Sequence, residues 1–209
     1  MSPTAVVTGG SGGIGSEVVS QLRAKGWEVT SLSRREGCDV SDEDQVVKAF
    51  ARFDSVDALD SLIYCAAELV KRPFTELTAE EWDRQLGGGL RGAFLCAREA
   101  FRLMRGHGGA IVMVSSLSGV FGAEKFPGMA AYVAAKSGLA GLTEALAVEG
   151  RPLRIRVNAV SPGAVDTPML RIAGVEGPAL MPAEVARTIV WLASPESAPL
   201  SGANLRMDP

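Results

Sequence analysis

Apolar positions along the chain switch repeatedly between two periods, and the switching predicts the architecture. Short runs read as buried strands: Ala5-Val6-Val7, Glu28-Val29-Thr30-Ser31-Leu32, Ser61-Leu62-Ile63-Tyr64, Ala110 to Val114, Ile155 to Val160, and a short last one from Ala203 to Met207. Helical spacing fills the gaps. Ile14, Val18, Val19 and Leu22 mark the first helix, and similar patterns cover about 42–53, 78–104, 130–149 and 183–193. Strands alternating with helices imply a parallel sheet covered on both faces, a doubly wound, Rossmann-like α/β fold. The stretch 169–182 has neither period and reads as a loop. No internal repeat or low-complexity linker interrupts the pattern, and one domain spanning 1–209 is the expected organisation.

Local signals refine these elements. Thr78-Ala79-Glu80-Glu81 is a capping box that starts the third helix. Inside that helix lies Gly87-Gly88-Gly89, and interior glycines cost about 0.8–1 kcal/mol each relative to alanine, so a distortion or break is expected there. Only Glu36, Gly37 and Cys38 separate Arg35 from Asp39, whereas a parallel crossover takes at least about 10–12 residues. No strand fits in that interval. The five residues from Arg35 to Asp39, fully extended, still reach about 17 Å, enough to carry Asp39-Val40 along the carboxyl edge of the sheet.

The chemistry begins at Thr8-Gly9-Gly10-Ser11-Gly12-Gly13-Ile14-Gly15. A strand feeding a glycine loop that opens a helix gathers backbone N–H groups and the positive end of the helix dipole at one point, which suits an anion. Gly9, Gly13 and Gly15 permit the tight turn, the close approach of a pyrophosphate and close helix–strand packing. A phosphate loop of the Gly-Lys-Ser/Thr kind is absent. On a second helix Tyr132 and Lys136 stand at i and i+4 and share a face. An ammonium near a phenol favours phenolate and lowers the phenol's pKa, making tyrosine a usable proton donor or acceptor. Ser116, just past a strand end at the same edge, is placed to hydrogen-bond a carbonyl oxygen. Tyr-xxx-Lys alone is common on ordinary helix surfaces; its position after a nucleotide loop and a Ser-Ser strand end makes it specific.

Composition narrows the partners. The net charge is −3 and basic residues come in pairs, not patches, which argues against nucleic acid and anionic membranes. No apolar run approaches the roughly 20 residues that span a bilayer, and no leader pattern opens the chain, so a cytoplasmic address is expected. The three cysteines, Cys38, Cys65 and Cys96, have no metal-ligand or disulfide spacing, and the single histidine, His107, reads as a solvated turn residue. No metal site is expected.

Taken in order, Thr8-Gly9-xxx-Gly13-Ile14-Gly15, Asp39-Val40, Ser116, Tyr132-xxx-Lys136 and Pro162-Gly163-xxx-Thr167 resemble the short-chain dehydrogenase/reductase family, over roughly residues 5–207. The resemblance implies hydride transfer between a nicotinamide cofactor and a ketone or secondary alcohol. It makes Tyr132 the general acid/base, Lys136 the residue that binds the nicotinamide ribose, and Ser116 the residue that orients the substrate oxygen. It assigns the diphosphate to Gly9, Ser11, Gly12, Gly13, Ile14 and Gly15, and the adenine to Asp39 and Val40. Cys65, Ala66 and Ala67 would meet the adenosine-side ribose; Pro162, Gly163, Val165 and Thr167 would hold the nicotinamide. Dimers or tetramers through the helices of 91–104 and 132–149 are likewise implied.

Charge argues the choice of cofactor. NAD-using relatives place an acidic residue at the end of the second strand, whereas a 2′-phosphate needs cationic donors. Ser33 holds the acidic position here, with Arg34 and Arg35 behind it, so NADP is expected over NAD. The bland alternative is that both arginines are solvated surface charge.

The chain also departs from the family pattern. Cys65 replaces the asparagine of Asn-Ala-Gly. The missing segment after Arg35 leaves six strands in the order 2-1-3-4-5-6. The loop after Thr167 is short, so an open pocket is expected, with apolar contacts at Leu117, Phe121, Met169 and Leu170. Gly89 stands where relatives carry a catalytic asparagine that helps hold a water near the lysine, and reduced activity is expected. Three readings follow: an NADP-dependent carbonyl reductase or alcohol dehydrogenase, a catalytically weak nucleotide-binding or scaffold relative, or related chemistry such as enoyl reduction or epimerisation.

Overall fold

A computed structural model describes residues 2–54 and 59–209. Six parallel strands form one sheet in the order β2-β1-β3-β4-β5-β6. They are β1 (Thr4–Thr8), β2 (Glu28–Leu32), β3 (Ser61–Tyr64), β4 (Gly109–Val114), β5 (Ile155–Pro162) and β6 (Asn204–Met207). The helices are α1 (Gly13–Ala24), α2 (Glu43–Ala51), α3 (Ala79–Leu86), α4 (Gly92–Met104), α5 (Ala130–Gly150), α6 (Pro168–Ala173) and α7 (Pro182–Ala193). The strand count and order agree with the sequence reading, and the short 35–39 interval is the reason.

Period-two alternation sorts the strand side chains onto two cores. On one face Val6, Leu62, Tyr64, Ile111, Met113 and Val157 pack under α2, α4 and α5. On the other, Ala5, Val7, Ile63, Val112 and Val160 meet Val18, Val19 and Leu22 of α1 and Val185, Ile189 and Val190 of α7. Register brings the carboxyl ends level: Thr8 lies beside both Leu32 and Tyr64, and Tyr64 beside Met113. The loops that follow those residues therefore converge at one edge.

Two helix starts behave as their sequences imply. Asp42 accepts from the Gln45 N–H at 3.1 Å, and Thr78 and Glu81 exchange side-chain-to-backbone bonds at 3.1 and 3.2 Å. The glycine triplet does not end the third helix. Gly87–Arg91 forms a π-helical turn between α3 and α4, in which the Gly92 N–H reaches Gly87. The expected distortion is thus one inserted residue within a continuous rod.

The reading of 169–182 as a loop is corrected. Pro168–Ala173 is a short helix, with proline in its first turn and Gly174 in the left-handed region at its end (φ +60°). Six residues are too few for an apolar period to register, so its cues were the flanking proline and glycine.

Candidate active site

The glycine loop is built by side chains that are missing. A Cβ on Gly9 (φ +66°) would lie 2.9 Å from the Ala66 backbone, and one on Gly13 would lie 2.5 Å from Thr167 Cγ2. One on Gly15 would overlap the Gly9 carbonyl. Hydrogen bonds tie this bare backbone to its neighbours: Gly9 N–H donates to Leu32 at 2.7 Å, and Thr8 Oγ1 accepts from Cys65 and Ala66 N–H, both at 3.2 Å. The loop, the end of β2 and the end of β3 are one rigid rim.

From this rim a cleft of about 950 Å³ runs across the sheet edge to Tyr132 and Lys136. Its walls include Gly9, Ser11, Gly12, Gly13, Ile14 and Gly15, then Ser33, Arg34, Arg35, Asp39 and Val40, then Cys65, Ala66, Ala67 and Thr167. Ser116, Pro162, Gly163 and Val165 stand behind the wall: Ser116 and Pro162 are buried, the Gly163 N–H bonds to Met207, and Val165 packs in the core under α1 and α7. A second cavity, about 1390 Å³, opens beside His107, Arg154 and Trp191 and shares no lining residue with the cleft. It contains neither the glycine loop nor the phenol. His107 itself is exposed, with Nε2 3.2 Å from the Leu59 carbonyl oxygen.

Four side chains, those of Ser115, Ser116, Tyr132 and Lys136, gather between the end of β4 and the first turns of α5. Ser115 Oγ donates to the Lys136 carbonyl at 2.9 Å, and the turn Leu117–Gly119 sits on α5 because a Cβ at Gly119 would come within 2.6 Å of Lys136 backbone. Ser116 Oγ accepts from the Ser118 N–H at 3.2 Å and stands beside the Tyr132 phenol, where its hydroxyl favours the phenolate. Lys136 Nζ donates to the Val114 carbonyl at 2.6 Å and lies 5.7 Å from the Tyr132 ring centroid.

Burial dominates the electrostatics. It pushes the Tyr132 phenol above its ordinary range, and only the Ser116 hydrogen bond acts the other way. It pulls the Lys136 ammonium down to about 8, with Cys65 opposing the shift. The expected acidification of Tyr132 by Lys136 is therefore not found in the free protein: the amine faces the ring and the Val114 carbonyl, and desolvation of the phenolate outweighs its attraction. Cys65, pushed up to about 12 by burial, is a neutral thiol at the floor of the cleft.

The expectation of an open pocket also fails at Tyr132, which is only 8% exposed. Leu69, Met129 and Ala173 cover it, with Phe126, Val133, Met169 and Val175 around them. Lys71 Nζ donates to the Ala173 carbonyl at 2.5 Å, so an ammonium caps the C-terminus of α6 and ties it over the phenol. Of the apolar contacts expected for substrate, Met169 joins this cluster, whereas Phe121 is fully exposed.

Sequence reasoning missed several supporting residues. Gln85 holds the chain after β3, accepting from Val70 N–H at 2.8 Å and donating to the Glu68 carbonyl at 2.6 Å. Tyr64 Oη donates to Gly88 O at 2.5 Å, occupying a carbonyl in the π turn. A phenol at the end of an otherwise aliphatic strand, with glycines at 87–89 and 92, was the available signal. Gly89 is buried against α5, and a Cβ there would lie 2.9 Å from Ala135 Cβ. Glu36 Oε2 accepts from both Ser31 and Ser33 hydroxyls.

Known proteins resemble this chain in sequence and fold. A family model described as enoyl-(acyl carrier protein) reductase matches residues 32–209. A cyclopentanol dehydrogenase from a Comamonas species is 34% identical over 213 residues, covering 93% of this chain and 81% of the relative. Among solved structures, 3-ketoacyl-(acyl-carrier-protein) reductase from Brucella melitensis complexed with NADH superposes with a TM-score of 0.88 at 25% identity, covering 99% of this chain and 96% of that one. ElxO with NADP bound superposes at 0.90 with 26% identity, covering 100% and 98%. With a family model matched over most of its length and a doubly wound parallel sheet, the chain belongs to the short-chain dehydrogenase/reductase family of oxidoreductases.

Proposed function

We propose that this protein is an NADP-dependent oxidoreductase of ketones and secondary alcohols, with Tyr132 as general acid/base. The observation that carries the reading is that Tyr132 and Lys136 line the same cleft as Gly9–Gly15, with Ser116 bonded to the phenol behind them. The cofactor fits the residues present: Gly12 and Gly13 bring backbone without side chains to the cleft wall at the N-terminus of α1, which no side chain caps, and a diphosphate suits that point. Asp39 and Val40 would flank the adenine, Cys65, Ala66 and Ala67 the adenosine ribose, and Thr167, backed by Pro162, Gly163 and Val165, the nicotinamide. Cationic Arg34 and Arg35, at the rim after Ser33, support NADP over NAD.

When bound, the nicotinamide supplies a hydride to the carbonyl carbon. Ser116 donates to the carbonyl oxygen, and Tyr132 gives up its phenolic proton as that oxygen becomes an alkoxide. Burial keeps the phenol protonated at neutral pH, which suits reduction. The Lys136 ammonium, held by Val114, offsets the charge left on the phenolate. Leu69 and Met169 line the cleft beside Tyr132, so apolar ketones are the expected substrates. The enzyme works as one domain in the cytosol; its three free thiols agree with a reducing compartment. No helix among the described residues is long and apolar enough to cross a membrane. Phe94 on α4 and Val148 on α5 are exposed apolar residues that support pairing of copies through those helices.

The test is consumption of NADPH with a panel of cyclic and aryl ketones, aldehydes and quinones, with Tyr132→Phe as control. Turnover by the native chain and its loss in the variant are expected. A second reading, a nucleotide-binding relative with little catalysis, is favoured by Gly89; it wins if both proteins bind NADPH and neither turns a carbonyl over.

A further inference from the structure

Directly after β2, Arg34–Glu36 makes one turn of 3-10 helix that ends at Gly37 in the left-handed region (φ +80°). The turn folds Glu36 back over the end of its own strand. Its Oε2 accepts the Ser33 hydroxyl at 2.6 Å and the Ser31 hydroxyl at 2.9 Å. A hydroxyl carries one proton, and both serines give theirs to the same carboxylate oxygen. Ser33 lines the cleft, so what it presents there is a lone pair backed by a negative charge.

That pattern favours one sugar substituent over another. A ribose hydroxyl can donate to the Ser33 lone pair. A phosphate has acceptor oxygens on every side and finds no donor in Ser33, and its charge is repelled by the carboxylate behind it. The cations of the same turn are unequal: Arg34 lies 3.4 Å from Glu68, whereas Arg35 has no hydrogen-bond or ion-pair partner among the described residues.

We infer that Glu36 is a specificity-determining residue, which through Ser33 favours the cofactor with a free 2′-hydroxyl and holds down the preference for a 2′-phosphate conferred by Arg34 and Arg35. This rests on the reading that the end of β2 receives the adenosine ribose. Position 33 lacks an acid, and the turn restores one three residues later. The protein therefore accepts NADH as well as NADPH, and Glu36 sets the ratio.

The experiment measures dissociation constants for NADPH and NADH by the fluorescence of the bound nicotinamide, with kcat/KM for both wherever a ketone is turned over. Glu36→Gln keeps an acceptor for the serines and removes the charge. It is expected to raise the NADPH-to-NADH preference on the order of tenfold, the scale of removing one nearby charge at a partly solvated site, with the melting temperature unchanged. Arg35→Ala is expected to lower the same ratio. An unchanged ratio in Glu36→Gln overturns the inference, and a lowered one shows that Glu36 serves to order the turn that presents the arginines. If Arg35→Ala alters neither constant, the ribose is bound elsewhere and the reading beneath the inference falls with it.

Discussion

The two ends of the cleft are made by opposite means. At the end proposed for the nucleotide, the site's shape comes from what is missing: Gly9, Gly13 and Gly15 let neighbouring segments pack closely because any Cβ would strike Ala66, Thr167 or Gly9. At the catalytic end it comes from side chains sealed away from water, with Lys136 3% and Tyr132 8% exposed. An end defined by backbone is intolerant of added atoms. An end defined by buried polar groups is intolerant of lost partners, since each orphaned group carries its full desolvation penalty.

The largest expected effect isolates the catalytic end. Tyr132→Phe removes the proton and leaves the packing, so turnover should fall by roughly 10²–10⁴-fold while NADPH binding stays within a factor of about two. Equal losses of binding and turnover would erase the distinction between the two ends. Gly15→Ala tests the other: the added methyl must displace the Gly9 carbonyl, so cofactor affinity should drop at least about tenfold and stability by about 1–3 kcal/mol. Titration with NADPH and chemical denaturation read both quantities.

Smaller changes sharpen the boundary. In Tyr64→Phe the Gly88 carbonyl in the π turn loses its buried partner, and a cost of about 1–3 kcal/mol is expected in urea unfolding, with weaker catalysis because that turn packs beside Ala135, the residue before Lys136 on α5. Gly89→Asn pushes against Ala135 Cβ, 2.9 Å from where its own Cβ must sit, so it should destabilise the fold and fail to raise turnover. A more active Gly89→Asn enzyme would show that side-chain chemistry, not space, is limiting there.

The smallest effect is one of pH. Lys136 titrates near 8 in the folded protein, against 10.5 ordinarily, because burial disfavours its charge. Between those values the unfolded chain binds the extra proton, so stability rises with pH and the cost of the buried ammonium is fully present only below about 8. Relative to Lys136→Met, the native chain should gain stability from pH 7 toward 10, with a slope of at most about 1.4 kcal/mol per unit. A flat difference would mean that the amine is better solvated than its surroundings indicate.

The contrast between the ends also explains what was legible in advance. The glycine loop and the Tyr132–Lys136 pair are local patterns, readable from their spacing together with their order along the chain, and the six-strand order followed from the three residues between Arg35 and Asp39. The groups that regulate those features come from elsewhere in the chain. Lys71 reaches Ala173 and Tyr64 reaches Gly88 across intervals no periodicity encodes. The direction of the Tyr132 shift was misjudged for the same reason: the i+4 amine was visible in the sequence, whereas the cover made by Leu69, Met129 and Ala173 was not. Glu36 lay in plain view three residues from Ser33, but its meaning depends on a turn that folds it back.

Label transfer tests the central claim most directly, that both ends serve one reaction. NADPH deuterated at the transferable position of the nicotinamide is incubated with the protein and a cyclic ketone, and the alcohol formed is analysed by mass spectrometry. The protein should deliver deuterium to the carbinol carbon, and Tyr132→Phe, still binding NADPH, should deliver almost none. Alcohol without deuterium, or equal labelled yields from both proteins, would contradict it.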